Sequence, residues 1–132
     1  MGRLVTIRIP FATDAVIRIH DDIIENAGGE FGVLNRGSIA FTIERVNGKV
    51  IRENINLCKV TSIILRDFVQ GHPFVDGNKR IAFALVDIVL RENGYRFNVG
   101  NDEIIEFLLN LAKREFELEG VEEWLMKSVK LK

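Results

Sequence analysis

The chain has 132 residues, 47% of them hydrophobic and 28% charged, which is one domain's length and excludes a disordered or collagen-like polymer. With 18 Lys and Arg against 19 Asp and Glu, the formal net charge of -1 gives no general attraction to nucleic acid or an anionic membrane, so any basic site must be local. The single cysteine, Cys58, excludes an internal disulfide or a Cys-rich zinc site and fits a reducing compartment.

In chain order, Met1–Pro10 alternates apolar and polar residues and lacks the continuous apolar stretch of a signal peptide. Leu4, Ile7 and Ile9, set among Thr6 and Arg8, predict a short N-terminal strand ending at Pro10. Thr13 or Asp14 can cap a helix that carries Val16, Ile19, Ile23 and Ala27 on one stripe and stops at Gly28–Gly29. From Gly28 to Gly37, four glycines around Phe31, Val33 and Leu34 predict a turning loop anchored by a few apolar side chains. The next segment reads two ways. Val46-Asn47-Gly48-Lys49-Val50 suits a tight hairpin, whereas Ser38 could cap a helix of Ile39, Thr42, Ile43 and Val46 with Gly48 as its stop.

The second half is more regular. Leu57, Val60, Ile64 and Phe68 predict a helix leading into Gly71. A second, from Asn78 to Gly94, is apolar all round, as a helix at the centre of a bundle must be. Its near-apolar run Ile81–Leu90 contains Asp87 and is about half the ~20 residues that a membrane span needs. Asn101 can cap a third helix, with Asp102 and Glu103 in its first turn and Lys113 and Arg114 in its last. Ile104, Ile105, Leu108, Leu109 and Ala112 form its expected buried stripe. Val121, Trp124, Leu125 and Val129 mark a final short helix. The expectation is a mainly α, compact helical bundle, one domain over 1–132, soluble and cytoplasmic, with no membrane partner.

Residues 71–80, Gly-His-Pro-Phe-Val-Asp-Gly-Asn-Lys-Arg, lie between two strongly apolar helices and carry far more chemistry than a turn requires. His72 can accept a proton, Asp76 can bind a metal, Asn78 is a polar cap, and Lys79 and Arg80 are cations; phosphoryl transfer uses such groups. Pro73 cannot continue the preceding helix, and Gly77 lets backbone approach a ligand closely. The helix beginning at Asn78 presents free N–H groups that suit a phosphate. Two cations in its first turn oppose the helix dipole unless an anion sits there. Phe74 would pin the loop to the core. Taken singly, each residue is more often structural, since Asp-Gly-Asn is common turn chemistry. Together and in order they favour a site.

That order resembles the Fic/Doc motif, His-x-Phe-x-(Asp or Glu)-Gly-Asn-x-Arg, at all six fixed positions between His72 and Arg80. Ile19-His20-Asp21 before Gly28-Gly29, Ile43-Glu44-Arg45-Val46 and Arg91-Glu92-Asn93-Gly94 are similar to the Doc (death-on-curing) branch. The resemblance covers roughly residues 15 to 97 and favours the helix over the hairpin at 38–47. It implies a Fic-like bundle with a flap loop or small hairpin at Gly28–Leu34, whose Gly28, Gly29, Phe31 and Gly32 would bind a target peptide by backbone pairing. It further implies His72 as general base, Asp76 as the Mg²⁺ ligand, and Gly77, Asn78, Lys79 and Arg80 as binders of ATP phosphates.

The resemblance also separates two reactions. Adenylyl-transferring relatives continue the motif as Gly-Asn-Gly-Arg-x-x-Arg, whereas this chain has Lys79 for the glycine after Asn and Phe83 for the second arginine. Doc-type proteins have Lys-Arg and lack that second arginine, although they commonly have Thr where this chain has Ile81. The implied activity is a Doc-like toxin that phosphorylates a Ser/Thr hydroxyl of a protein, with elongation factor Tu as the implied target. No Ser/Thr-x-x-x-Glu-Gly/Asn inhibitory sequence is present, so restraint would come from an antitoxin with a disordered segment that folds onto the toxin. Protein adenylyl transfer and a non-catalytic phosphate-binding module are the alternatives. A nucleic-acid-binding domain is disfavoured by the missing basic stripe. His20, on an apolar face, reads as a hydrogen-bonded core histidine, Trp124 as core, and Cys58 as an inert small hydrophobe.

Overall fold

The structure is a computed structural model and describes residues 7–132. These form helices α1 (Thr13–Ala27), α2 (Arg36–Glu53), α3 (Leu57–Gly71), α4 (Asn78–Glu92), α5 (Asn101–Ala112) and α6 (Leu118–Ser128). Strands β1 (Tyr95–Phe97) and β2 (Val129–Leu131) pair antiparallel, with Tyr95 opposite Leu131. Helices α3 and α4 are the central pair. Val60, Ile63, Ile64, Leu65, Phe68 and Val69 of α3 meet Ile81, Ala82, Leu85, Val86, Val89 and Leu90 of α4, all buried. Each such large apolar side chain contributes roughly 1.5–3 kcal/mol by leaving water. The core therefore lies directly beneath the loop that joins these two helices, and it gives that loop a stiff floor. Among the described residues no helix is long and apolar enough to cross a membrane.

The segment with two readings is one continuous helix. Asn35 Oδ1 caps α2 by accepting the Ser38 amide at 2.9 Å, and Ile39, Thr42, Ile43 and Val46 are buried as the helical pattern requires. Gly48 does not stop it. It is buried within α2, where the Arg52 guanidinium fills the place a Cβ would take, and the helix ends one and a half turns later at Asn54, in the left-handed region with φ 52°. Helix α1 turns Val16, His20 and Ile24 inward, with Ile19 and Ile23 only half-buried and Ala27 exposed. Its N-cap is Ala12, without a side-chain acceptor from Thr13 or Asp14.

Other boundaries shift for local reasons. Helix α4 closes at Glu92, because Gly94 at φ 88° turns the chain into β1. Gly100 holds the N-cap position of α5, and Asn101 is its first helical residue. The buried face of α5 is Ile104, Phe107, Leu108 and Leu111, whereas Ile105 and Leu109 are 55% and 47% exposed. Val129 belongs to β2 rather than to α6. Residues Ile7–Pro10 form no strand. The Asn93 side chain instead pairs with the Arg8 backbone, accepting its N–H and donating to its carbonyl, both at 2.9 Å. The rest of the expected N-terminal strand lies outside the described residues.

Candidate active site

The α3–α4 connection, His72–Gly77, is shaped by two left-handed residues. His72 (φ 46°) caps the end of α3 and turns its ring outward, a conformation costly for a non-glycine and concentrated at functional sites. Gly77 (φ 78°) opens α4, where a Cβ would sit 3.1 Å from Ile24 Cδ1 and 3.3 Å from His20 Nε2. No side chain caps α4, so its first-turn amides and the helix dipole face outward beside Lys79 and Arg80.

Asn78 staples the loop. Its Oδ1 accepts the Phe74 amide at 3.0 Å and its Nδ2 donates to the Phe74 carbonyl at 2.9 Å, which fixes the orientation of the amide. Nδ2 also lies 3.2 Å from His72 Nδ1, so the imidazole is steered by the same residue. Because Nδ2 can only donate, Nδ1 accepts here and the ring proton of neutral His72 sits on Nε2. Phe74 is fully buried, as a loop anchor should be, and its ring stacks on His20 with centroids 3.7 Å apart and planes 6° apart.

Asp76 accepts the Gly77 amide at 2.7 Å on Oδ1 and the Glu30 amide at 3.1 Å on Oδ2. The Gly77 amide first, and then the Glu30 amide, hold its carboxyl below the usual carboxylate range. Arg80 stands 3.8 Å from the same carboxylate and donates to the Gly28 carbonyl at 2.7 Å. An ionised aspartate with lone pairs to spare suits Mg²⁺, which is commonly held by one or two carboxylates and completed by substrate phosphates and water. Among the described residues no group of three or more His, Cys, Asp or Glu side chains converges on a metal position.

The flap lies along this loop. Val75 N–H donates to the Gly32 carbonyl at 3.0 Å, and the Leu34 and Asn35 amides donate to the Pro73 carbonyl at 2.8 and 3.1 Å. The pairing amounts to a single antiparallel bridge, Val33 with Phe74, so this is a loop and not a hairpin. The expected apolar anchoring fails. Phe31, Val33 and Leu34 are 58%, 39% and 66% exposed, and the flap is held by its backbone. Gly29 (φ 122°) packs so closely that a Cβ would fall 2.7 Å from Asp76 Oδ2 and 2.8 Å from Arg80 Nη2.

The structure thus brings together His72, Phe74, Asp76, Gly77, Asn78, Lys79 and Arg80, with Gly28, Gly29 and Gly32 alongside and Phe31 facing solvent. Sequence reasoning missed two contributors. His20 is fully buried, as expected of a core histidine, but its Nε2 donates to the Asp76 carbonyl at 2.6 Å and so holds the motif backbone. The second is a cavity of about 360 Å³ beside the start of α4, walled by Lys79, Arg80, Phe83, Ile105 and Leu109 among others. The two α5 residues expected in the core line it instead. Trp124 stacks on Phe107 at 4.0 Å, a packing role, and burial raises the half-buried Cys58 thiol, which keeps it unreactive.

Residues 10–90 match the Fic/DOC family. Over 113 residues, 85% of this chain and 89% of the relative, the sequence is 30% identical to the protein kinase doc of Escherichia phage P1. A second relative, a Fido domain-containing protein of Dictyostelium discoideum, is 42% identical over 62 residues, 44% of this chain and 43% of its own. With the family matched across most of the described helices and the chain aligned to a relative over nearly its whole length, this protein belongs to the Fic/DOC family.

Proposed function

We propose that this chain is a single Fic/Doc domain and a Doc-like toxin that transfers the γ-phosphate of ATP to a Ser or Thr hydroxyl of a protein, with elongation factor Tu as first candidate. The observation that carries the choice of reaction is Phe83. In the adenylyl-transferring pattern an arginine at that position holds nucleotide phosphate, whereas Phe83 stacks on Phe97 at 5.2 Å and forms part of an apolar wall. The relative named a protein kinase supports the same choice.

In this reading the first-turn amides of α4, with Asn78, Lys79 and Arg80, bind the phosphates and the charge that builds between them. Asp76 would hold Mg²⁺, which when bound screens and orients the phosphate groups. Backbone of the flap at Gly28, Gly29 and Gly32 aligns the target strand. His72 takes the hydroxyl proton while the hydroxyl oxygen bonds to the γ-phosphorus; the bond from that phosphorus to the β–γ bridging oxygen breaks, and ADP leaves. Proton removal by Nε2 requires the tautomer with its proton on Nδ1, so the ring must release its present contact with Asn78 when substrates bind. Restraint falls to an antitoxin whose disordered segment folds onto the toxin.

The test is incubation of the pure protein and Mg²⁺ with elongation factor Tu and either γ-labelled or α-labelled ATP, beside a His72→Ala control. Transfer of γ-label alone, lost in the control, is the expected result. Transfer of α-label would replace this reading with adenylyl transfer. Nucleotide binding without transfer to this or any other cellular protein would leave the non-catalytic module.

A further inference from the structure

A second cleft, of about 330 Å³, opens where α2, the end of α3 and the turn after α5 meet. It shares no lining residue with the phosphate cradle at Gly77–Arg80. Three guanidinium groups line it, from Arg45, Arg66 and Arg114, against a single carboxylate, Asp67. This concentration of positive charge stands out in a chain whose net charge is -1.

The carboxylate already has partners. Asp67 accepts Thr42 Oγ1 at 2.9 Å and lies 3.5 Å from both Arg45 and Arg66. Arg114, just beyond α5 at φ 60°, reaches only neutral groups among the described residues, the Gln70 side-chain oxygen at 3.3 Å and the Gln70 carbonyl at 3.4 Å. Arg45 Nε is buried and meets no acceptor among the described residues. An unanswered buried donor, and three guanidinium groups against one carboxylate, call for a ligand with oxygen acceptors and negative charge.

The position of the cleft says which ligand. Gly71 and Pro73, the chain neighbours of His72, both line it. The Pro73 carbonyl also accepts the Leu34 and Asn35 amides at the end of the flap, and Ser38, in the first turn of α2, lines the cleft as well. The flap end and the arginine cleft therefore meet at Pro73, and His72 stands in the chain between two residues that line the cleft. We propose that this cleft binds a Glu or Asp side chain of the acceptor polypeptide, so that specificity includes an acidic residue on the same chain as the reactive hydroxyl. The inference rests on His72 acting on a polypeptide hydroxyl. A planar guanidinium pairs with a carboxylate through two parallel hydrogen bonds, a geometry that also orients the chain carrying it.

The test needs neither nucleotide nor turnover, so it stands apart from the fate of the kinase reading. The ¹⁵N-labelled full chain is titrated with a short synthetic peptide of one Ser flanked by Glu residues, with its Gln analogue, and with inorganic phosphate. The arginine Nε–Hε signals are followed by NMR. The Glu peptide should shift the Arg45 and Arg114 signals and bind at least about tenfold more tightly than the Gln analogue. Arg66→Gln with Arg114→Gln should remove that preference. Arg114→Gln alone serves if the double variant unfolds, because its present bonds reach only Gln70. Equal binding of both peptides, or a shift confined to Arg80 in the phosphate cradle, overturns the proposal. Phosphate acting on the same arginines as strongly as the Glu peptide overturns it too, as a free-anion site.

Discussion

The loop His72–Gly77 and the flap Gly28–Asn35 touch along one edge yet are held by opposite means. The loop is fixed by side chains bonded to backbone: Asn78 to both polar groups of Phe74, His20 to the Asp76 carbonyl, and the buried Phe74 ring against His20. The flap contributes almost only backbone, three amide–carbonyl bonds to the loop and two contacts with Asp76 and Arg80, while its large side chains stay in solvent. A loop fixed through buried side chains keeps its geometry without ligand. A flap fixed through backbone alone can exchange partners with another strand at small cost, which is what a target-aligning edge needs.

The largest effect on this contrast should come from Asn78→Ala. Two buried polar groups of Phe74 lose their partners, at about 1–3 kcal/mol for each group left unpaired. Denaturant unfolding should show that loss, and label transfer should vanish with it. A variant as stable as the parent would mean that the staple is not what orders the loop.

His20 separates its own two roles. His20→Phe keeps a ring to stack on Phe74 but leaves the Asp76 carbonyl without its donor, costing about 1–3 kcal/mol. His20→Gln retains an N–H near that carbonyl and loses the stack. If the hydrogen bond positions the motif, Gln preserves more of kcat than Phe does even where it is the less stable protein. The opposite ranking, with kcat following stability alone, would reduce His20 to a packing residue.

How much of this was legible follows the same division. The motif could be read because its chemically distinctive residue types stand in a fixed order and spacing, and the central helices because their apolar periodicity is strong. His20 looked like a core histidine, which it is, but no sequence pattern says that its partner is a carbonyl 56 residues away. Gly48 resembled a stop because glycine is common there, and only the Arg52 side chain lying over it explains a glycine inside a helix. Ile105 and Leu109 fit a helical stripe one position away from the one that is buried, so they emerged as a cavity wall instead. The β1–β2 pair joins segments of three residues each, too short to show alternation. The arginine cleft gathers Arg45, Arg66 and Arg114 from three distant segments, invisible to any local window.

Gly29→Ala attacks the flap from its tightest point. The new Cβ would meet the Asp76 carboxylate and the Arg80 guanidinium at under 3 Å, and φ 122° strains any side chain. The strain costs about 1–3 kcal/mol if the flap stays, and less if it lets go. The expected outcome is a small stability change, faster hydrogen exchange at the Leu34 and Asn35 amides, and at least about tenfold slower transfer to a protein, since target alignment is lost. ATP hydrolysis falling as far as protein transfer would show that the damage lies in Asp76 and Arg80 rather than in the flap.

The smallest expected effect concerns the pH at which loop and flap part. Asp76 is held below the ordinary carboxylate value of 3.8 by the Gly77 and Glu30 amides. A carboxyl whose folded value is depressed stabilises the fold above its unfolded value, and the contribution is lost as pH falls through the lower, folded one. The Glu30 contact should therefore persist at neutral pH and through mild acid, and disappear only below the usual carboxylate range. The Glu30 and Gly77 amide signals, followed by NMR as pH is lowered, should titrate together with a shared midpoint under 3.8. In Asp76→Asn that shared step should be absent. Because the carboxylate is half exposed, salt screens it and the change in overall stability should be slight. A midpoint at or above the ordinary value, or a step at Gly77 without one at Glu30, would mean that the flap is not tied to Asp76 in solution and that its hold on the loop comes from the Pro73 and Val75 backbone alone.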